Sequence, residues 1–397
     1  MTVAGWDVVV VGGGPAGAVA ALVLARAGRR VLLADRSDPG ERIGEALPPA
    51  ARPVLRDLGL LPRVMADGHL SCPANASAWG SEDLRIRDFI FDVHGTGWHL
   101  DRARFDQSLR EAAAGAGADV IGGAHVDVDG ERRTAASIGK GCDRHIRLRV
   151  RGRDETFSCR WMVDASGRAA TPAVSCGARR QASDRLVAVH ARFAPSQAFR
   201  QDTTDQDSRT LIESCADGWW YSALLPSGER MVVFFSDADL IDRRALLCPD
   251  GRGMMAGIER TRHVRDVLES SGHVMTGRPH GADASSSRLD PVVGQDWIAA
   301  GDAALAFDPM SSQGIFHAMY TGMHAGRALD ASLSGDDTAL TAYALRIDEI
   351  DRHYRDNLTA AYALEARWPD HEFWRRRSLT PRRESSAAAV RPRPRTP

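Results

Sequence analysis

The segment from Trp6 to Asp35 restricts the fold more than any other stretch of the chain. Val8 to Val11 is a continuous β-branched run, the pattern of a strand buried on both faces. Gly12, Gly14 and Gly17 follow at the spacing G-x-G-x-x-G. Gly12 permits a tight turn, Gly14 lets the backbone approach a pyrophosphate, and Gly17 lets the next helix pack closely on the strand. Pro15 and Ala16 sit inside that turn, and Ala18 to Ala27 reads as a small-residue helix ended by Gly28. The helix N-terminus offers phosphates free N–H donors and partial positive charge. Arg30 to Ala34 is a second strand, with Asp35 at its end. An acidic residue there, about 20 residues past the turn, accepts hydrogen bonds from a ribose. The pattern predicts a Rossmann unit that binds a dinucleotide. It does not separate NAD from FAD.

The remaining elements are expected to interleave with this unit. Arg102 to Ala114 reads as a helix, residues 119–163 as strands returning to the sheet, and Trp297 to Ala300 as a short strand before a helix from Gly314 to Leu329. Alternating segments at 186–193, 209–215, 219–225 and 230–236, with a helix near 252–270, read as an inserted antiparallel sheet. The expected class is α/β. A discontinuous nucleotide domain would comprise residues 1–70, 100–170 and 290–335. A substrate-binding sheet domain would comprise 71–99 and 171–289, followed by a helical segment at 336–374. Residues 375–397 carry a charge of +7 and are rich in Arg and Pro. They are expected to be a disordered basic tail.

Bulk properties bound the function classes. The chain has 397 residues, enough for two domains, and a net charge of −1, which gives no global field towards DNA or lipid. No apolar run is long enough to span a membrane. The apolar stretch Val8–Val11 lacks a basic leader and a cleavage site, so no secretory signal is expected. The six cysteines are scattered without metal-ligand spacing. A cytoplasmic protein with reduced thiols and no metal site is the expectation. The sequence holds one lysine, Lys140.

Five further segments separate the cofactors. Gly301-Asp302 follows the strand at Trp297. Asp164-Ala165-Ser166-Gly167-Arg168 closes another. Arg102, with Phe105, Asp106 and Leu109, opens a helix; Arg104 offers a second register, and the spacing favours Arg102. Gly44-Glu45-Ala46-Leu47-Pro48-Pro49 and Asp308-Pro309-Met310-Ser311-Ser312-Gln313-Gly314 complete the set. In their order along the chain they resemble the aromatic hydroxylase and flavin-dependent halogenase superfamily, of the p-hydroxybenzoate-hydroxylase fold. The resemblance implies FAD as cofactor. It implies cofactor contacts from Gly12, Gly14, Pro15, Ala16, Gly17, Asp35, Arg36, Arg42, Gly44, Glu45, Arg102, Asp164, Gly301, Asp302, Pro309, Ser312, Gln313, Gly314 and Ile315. A helix N-terminus at Gly314 would stabilise negative charge on a reduced flavin, and Ser311 and Ser312 also suit plain N-capping.

Halogenases of that superfamily carry a lysine tens of residues after the G-E motif and a W-x-W-x-I-P segment. Here no lysine stands there, and Gly218-Trp219-Trp220-Tyr221 departs from the second motif. With Arg367-Trp368-Pro369 and Phe373-Trp374, the chain looks more like the non-halogenating branch. That branch includes the maturation flavoproteins of lysine ε-oxidase, glycine oxidase and quinohemoprotein amine dehydrogenase. It implies a monooxygenase that hydroxylates an aromatic ring through a flavin C4a-hydroperoxide, the ring being a small molecule or a peptide- or protein-bound Trp. The electron source would be NAD(P)H or a partner flavin reductase. The alternatives are a small-molecule tailoring hydroxylase or a halogenase, a flavin reductase or dehydrogenase, and a flavin-bearing maturation chaperone.

Candidate catalytic residues follow. Trp219 and Tyr221 share one face of a strand and Trp220 takes the other; aromatic lining and plain sheet packing both fit them. His317, one turn into the helix at Gly314, suits proton transfer or a plain helix face. His94 and His99 flank Trp98 and are weaker candidates. Glu45 belongs to the G-E motif and suits work beside the cofactor, or a loop carboxylate.

Overall fold

The computed structural model describes residues 5–36, 43–126, 144–196 and 205–378. Arg42, Lys140 and the tail beyond Ser378 lie outside the described residues. Strand Trp6–Val11 runs parallel to Val31–Asp35 on one side and to Arg153–Asp164 on the other. Val8 to Val11 are buried, as is all of Val31–Asp35. Each Val or Leu so buried contributes about 1.5–3 kcal/mol, which makes this pair the anchor of the first sheet. That sheet continues from Val31–Asp35 to Asp119–Gly122, and from Arg153–Asp164 to Arg144–Val150 and Ala124–Val126. Trp297–Ala299 pairs with the last residues of Arg153–Asp164. Helix Pro15–Arg26 leaves the glycine turn and packs against helices Gly314–Leu333 and Arg102–Gly115. The architecture is α/β with a Rossmann-type first sheet.

A second, largely antiparallel sheet has the order His273–Asp283, Leu186–Pro195, Arg230–Asp237, Gly218–Leu224, Thr210–Cys215, Ala74–Ala78, Arg85–Asp88. Its two faces divide as the alternation predicts. Trp219, Tyr221, Val233 and Phe235 join a cluster with Tyr362, Phe373 and Trp374. Trp220, Val232 and Phe234 join another, covered by helices Arg252–Ile258 and His263–Ser270.

Three expectations fail here for physical reasons. The helix expected near 252–270 is two helices. The Glu213 carboxylate reaches from the sheet and accepts N–H bonds from Arg262, His263 and Val264, so a second N-terminus starts there. Strand His273–Asp283 was not anticipated, because Gly277, Pro279 and Gly281 read as turns. It is an edge strand with a register shift opposite His190 and Arg192, where Pro and Gly are tolerated. Finally, Arg375, Arg376 and Arg377 belong to helix Glu372–Ser378 and not to a tail. Arg376 pairs with Asp237 and Asp239, and Arg377 with Asp237, which ties the helix to the second sheet.

Candidate active site

A cavity of about 360 Å³ lies between the glycine turn and the face of the second sheet that carries Tyr221. Its first end is built from backbone. Gly12 has φ +104°, and a methyl group there would lie 2.3 Å from Ala165 O. At Gly17 it would lie 1.8 Å from Gly12 O. At Gly14 it would meet nothing within 4 Å, and Gly14, Pro15 and Ala16 line the cavity. Two glycines thus draw the turn tight while the third leaves space above it.

The acidic residues of the motifs divide between bracing and lining. Asp35 accepts the Gly13 N–H at 3.1 Å and lies 3.5 Å from the Arg110 guanidinium. It is buried behind the turn, outside the cavity wall. Arg110 also donates to Gly13 O; no motif flagged it. Asp164 is buried and accepts from Ser166 N–H, Ser166 Oγ–H and Ala173 N–H. Expected beside the cofactor, it instead holds the loop whose Ala165, Gly167 and Arg168 line the wall. Asp302 does line the cavity, with Arg168 3.6 Å away. Burial raises its pKa, against the pull of Arg168 and Arg102. Gly301 is buried against Ala16. Arg36 is exposed and off the wall.

The two arginine registers resolve. Arg104 pairs with Asp67 at 2.7 Å, while Arg102 lines the cavity. Arg102 donates to Ile43 O and Gly44 O and pairs with Asp106; its Nε is buried without a partner. Pro309, Ser312, Gly314 and Ile315 also line the wall, and Gln313 is exposed beside them. Helix Gly314–Leu333 therefore starts at the cavity.

The second end is built from side chains. Tyr221, Val233 and Phe235 form an apolar wall, with Ile43 and Glu45 beside them. Strand Ala46–Leu47 pairs with Gly97–His99, and Leu100 N–H donates to Glu45 O, which fixes Glu45 in place. The Glu45 carboxyl is 3% exposed, and its Oε1 has no hydrogen-bond partner. Burial pushes its pKa up to about 7, against the pull of Arg102. Burial, with the Glu45 charge nearby, holds the Tyr221 hydroxyl well above its ordinary value.

Other candidates lie elsewhere. Trp219 is fully buried, stacked on Phe235 at 4.0 Å, and donates Nε1–H to Tyr362 Oη at 3.2 Å. It packs the core behind the wall and does not line it. His317 is buried and stacked on Phe307, off the cavity wall. Burial holds its pKa down to about 4, so the ring is neutral and unsuited to proton transfer at neutral pH. His99, also held down to about 4 by burial, spans Leu224 O and Thr210 Oγ1 at 2.9 Å each. His94 sits in a loop away from the wall.

Sequence reasoning placed Asp308 in a motif but gave it no role. It lines the cavity, and burial pushes its pKa up to about 6. Its carboxylate accepts Met310 N–H and, at 2.8 Å, the Tyr362 hydroxyl. A partner 54 residues away in the sequence leaves no local signal.

A family model described as FAD binding domain matches residues 5–350. LodB of Marinomonas mediterranea, named as an FAD-dependent oxidoreductase, is 31% identical over 94% of this chain and 96% of its own length. Among solved structures, the flavin-dependent halogenase CmlS superposes with TM-score 0.78 at 24% identity, covering 96% of this chain and 68% of CmlS. The peptidyl tryptophan dihydroxylase QhpG, essential for tryptophylquinone cofactor biogenesis, superposes with TM-score 0.73 at 22% identity. That match covers 96% of this chain and 80% of QhpG. The cavity fits such a nucleotide. The space over Gly14 would be closed by any side chain, helices Pro15–Arg26, Arg102–Gly115 and Gly314–Leu333 begin at its wall, and Arg102 Nε is a buried donor awaiting an acceptor.

Proposed function

The chain belongs to the FAD binding domain family and is an FAD-dependent oxidoreductase; from that premise we propose that it is a monooxygenase hydroxylating an aromatic ring, a tryptophan carried by a peptide or protein whose quinone cofactor it matures. One observation carries this reading. A cavity fitted to a flavin nucleotide at one end closes at the other on apolar rings and one unpartnered carboxyl, Glu45. The substrate named for QhpG, a peptidyl tryptophan, is of this kind.

Gly14, Pro15 and Ala16 would hold the pyrophosphate, and Asp302, Arg102, Ser312 and Gly314 the rest of the cofactor. Bound there, FAD would pass two electrons from the reductant to O2, one of whose oxygen atoms enters the ring while the other leaves as water. The protein's own part is position, dryness and proton traffic. Phe235, Phe307 and Val233 exclude water from the reacting end. The N-terminus of helix Gly314–Leu333 favours negative charge at the cavity. Glu45, whose pKa burial raises to about 7, can take or give a proton at its carboxyl. No second glycine turn of the Gly12–Gly17 type appears in the sequence, so reducing equivalents come from transient NAD(P)H contact or a separate flavin reductase.

Halogenation is disfavoured by one fact: residues 45–139 contain no lysine. The test is to incubate the flavin-loaded protein with a reductant, isotopically heavy O2 and tryptophan-bearing peptides. Heavy oxygen in the ring is the expected result. Flavin reoxidation that labels no aromatic substrate would sink the reading.

A further inference from the structure

Glu45 Oε1 is a buried acceptor left bare in the wall of the cavity. Leaving such a group unsatisfied costs about 1–3 kcal/mol, so the site is shaped to receive a donor. Glu45 lines the cavity together with Tyr221, Val233 and Phe235 of the second sheet and with Arg102. A donor on a substrate ring held against Tyr221 and Phe235 is within the same cavity wall as this acceptor.

Among the described residues the cations near that end are committed, Arg192 to Glu229 at 2.9 Å. Arg168 donates to Ser285 O and Phe307 O and faces Asp302. Arg102 is neutralised by Asp106, and its one unpartnered N–H belongs to the cofactor reading. Arg180, beside lining residue Asp283, pairs with it at 3.0 Å. Among the described residues, a substrate carboxylate would find only cations already paired, and it would meet Asp283 and Asp308. The wall suits a neutral ring. A ring N–H is a donor with no lone pair to satisfy, so it would complete Glu45 and leave no polar atom of its own stranded.

Resting on the hydroxylase reading, we propose that Glu45 Oε1 accepts the ring N–H of a neutral indole and thereby selects tryptophan over anionic aromatics and rings without that N–H.

The experiment titrates the flavin-loaded protein with N-acetyltryptophanamide, its ring-N-methyl analogue and benzoate, following the flavin absorbance. In the wild type, N-methylation should weaken binding roughly tenfold or more, as expected for a bond to a carboxylate, and benzoate should bind most weakly. In Glu45→Ala the N-methyl penalty should fall to about onefold. Glu45→Gln retains a carbonyl acceptor and should keep part of the penalty; it carries the test if Glu45→Ala fails to fold or to hold flavin. Three results would overturn the assignment: no penalty in the wild type, a penalty unchanged in both variants, or no binding of N-acetyltryptophanamide at millimolar concentration. The heavy-oxygen experiment separates the two readings. Label in the substrate without an N-methyl penalty removes only the Glu45 role. A penalty without label removes only the hydroxylase reading.

Discussion

The two ends of the cavity are made of different material. Around Gly12, Gly14 and Gly17 the wall is main chain, and each glycine is dictated by what stands, or must be able to stand, against it. Around Tyr221, Phe235 and Glu45 the wall is side chain, and it asks only for apolar volume and one acceptor. A wall of main chain tolerates almost no substitution, so it fixes residue types at fixed spacings. A wall of side chains can be met by many residues, so it leaves little pattern. The first end can belong to a whole family, while the second can distinguish its members.

The sharpest way to break this contrast is within the turn itself. Gly17→Ala drives a methyl into Gly12 O and should cost roughly 3 kcal/mol in denaturant unfolding of the apoprotein. Gly14→Ala should leave stability within about 0.5 kcal/mol, yet lower flavin affinity about tenfold or more in a binding titration. Equal losses of stability in both variants would erase the distinction between a packed and an open glycine.

The second end can be probed by pH. Glu45 has a folded-state pKa of about 7 against an ordinary 4.5, so the folded protein holds a proton between these values that the unfolded chain releases. Its contribution is full below the unfolded value and is lost as pH rises through about 7. Glu45→Gln cannot titrate. The apoprotein's stability relative to that variant should therefore fall by on the order of 3 kcal/mol between about pH 5 and about pH 8. A difference flat in pH would mean that the carboxyl is well solvated and the wall is wet.

Smaller effects separate lining from packing. Trp219→Phe removes the hydrogen bond to Tyr362 and part of a stacked pair. It should cost about 1–2 kcal/mol and leave KM unchanged. Tyr221→Phe should alter stability by less than about 0.5 kcal/mol and shift KM. The reverse outcome would move the wall one residue pair along the strand. Smallest is Arg104→Ala, which loses a half-exposed pair with Asp67. It should cost about 0.5 kcal/mol with flavin affinity intact, whereas Arg102→Ala should release flavin.

Legibility in the sequence follows the same division. The strand at Val8 and the turn were readable, because sterics and spacing dictate them, and the family spacing that favoured Arg102 picks out the arginine that lines the cavity. Asp35 and Asp164 were readable as necessary acids but not as braces. Whether a carboxylate meets a ligand or a neighbouring N–H depends on a rotation that spacing does not encode. The alternation of Trp219, Trp220 and Tyr221 was right, yet which of the two same-face rings meets the cavity depends on Tyr362, Phe373 and Trp374 arriving from far along the chain. His317 was placed on the correct helix, but its burial against Phe307 is a tertiary fact. Glu45 was legible as a motif residue, and its missing partner was not.

The brace behind Asp308 also orders events during synthesis. Tyr362 holds that carboxylate and packs near Phe373 and Trp374, which close over Trp219. A ribosome that has already released the glycine turn and both sheets has yet to make these residues. The nascent polypeptide can thus acquire its nucleotide cradle well before its oxygen chamber is sealed. Closure of that chamber arrives only with the translation of roughly the last twentieth of the described chain.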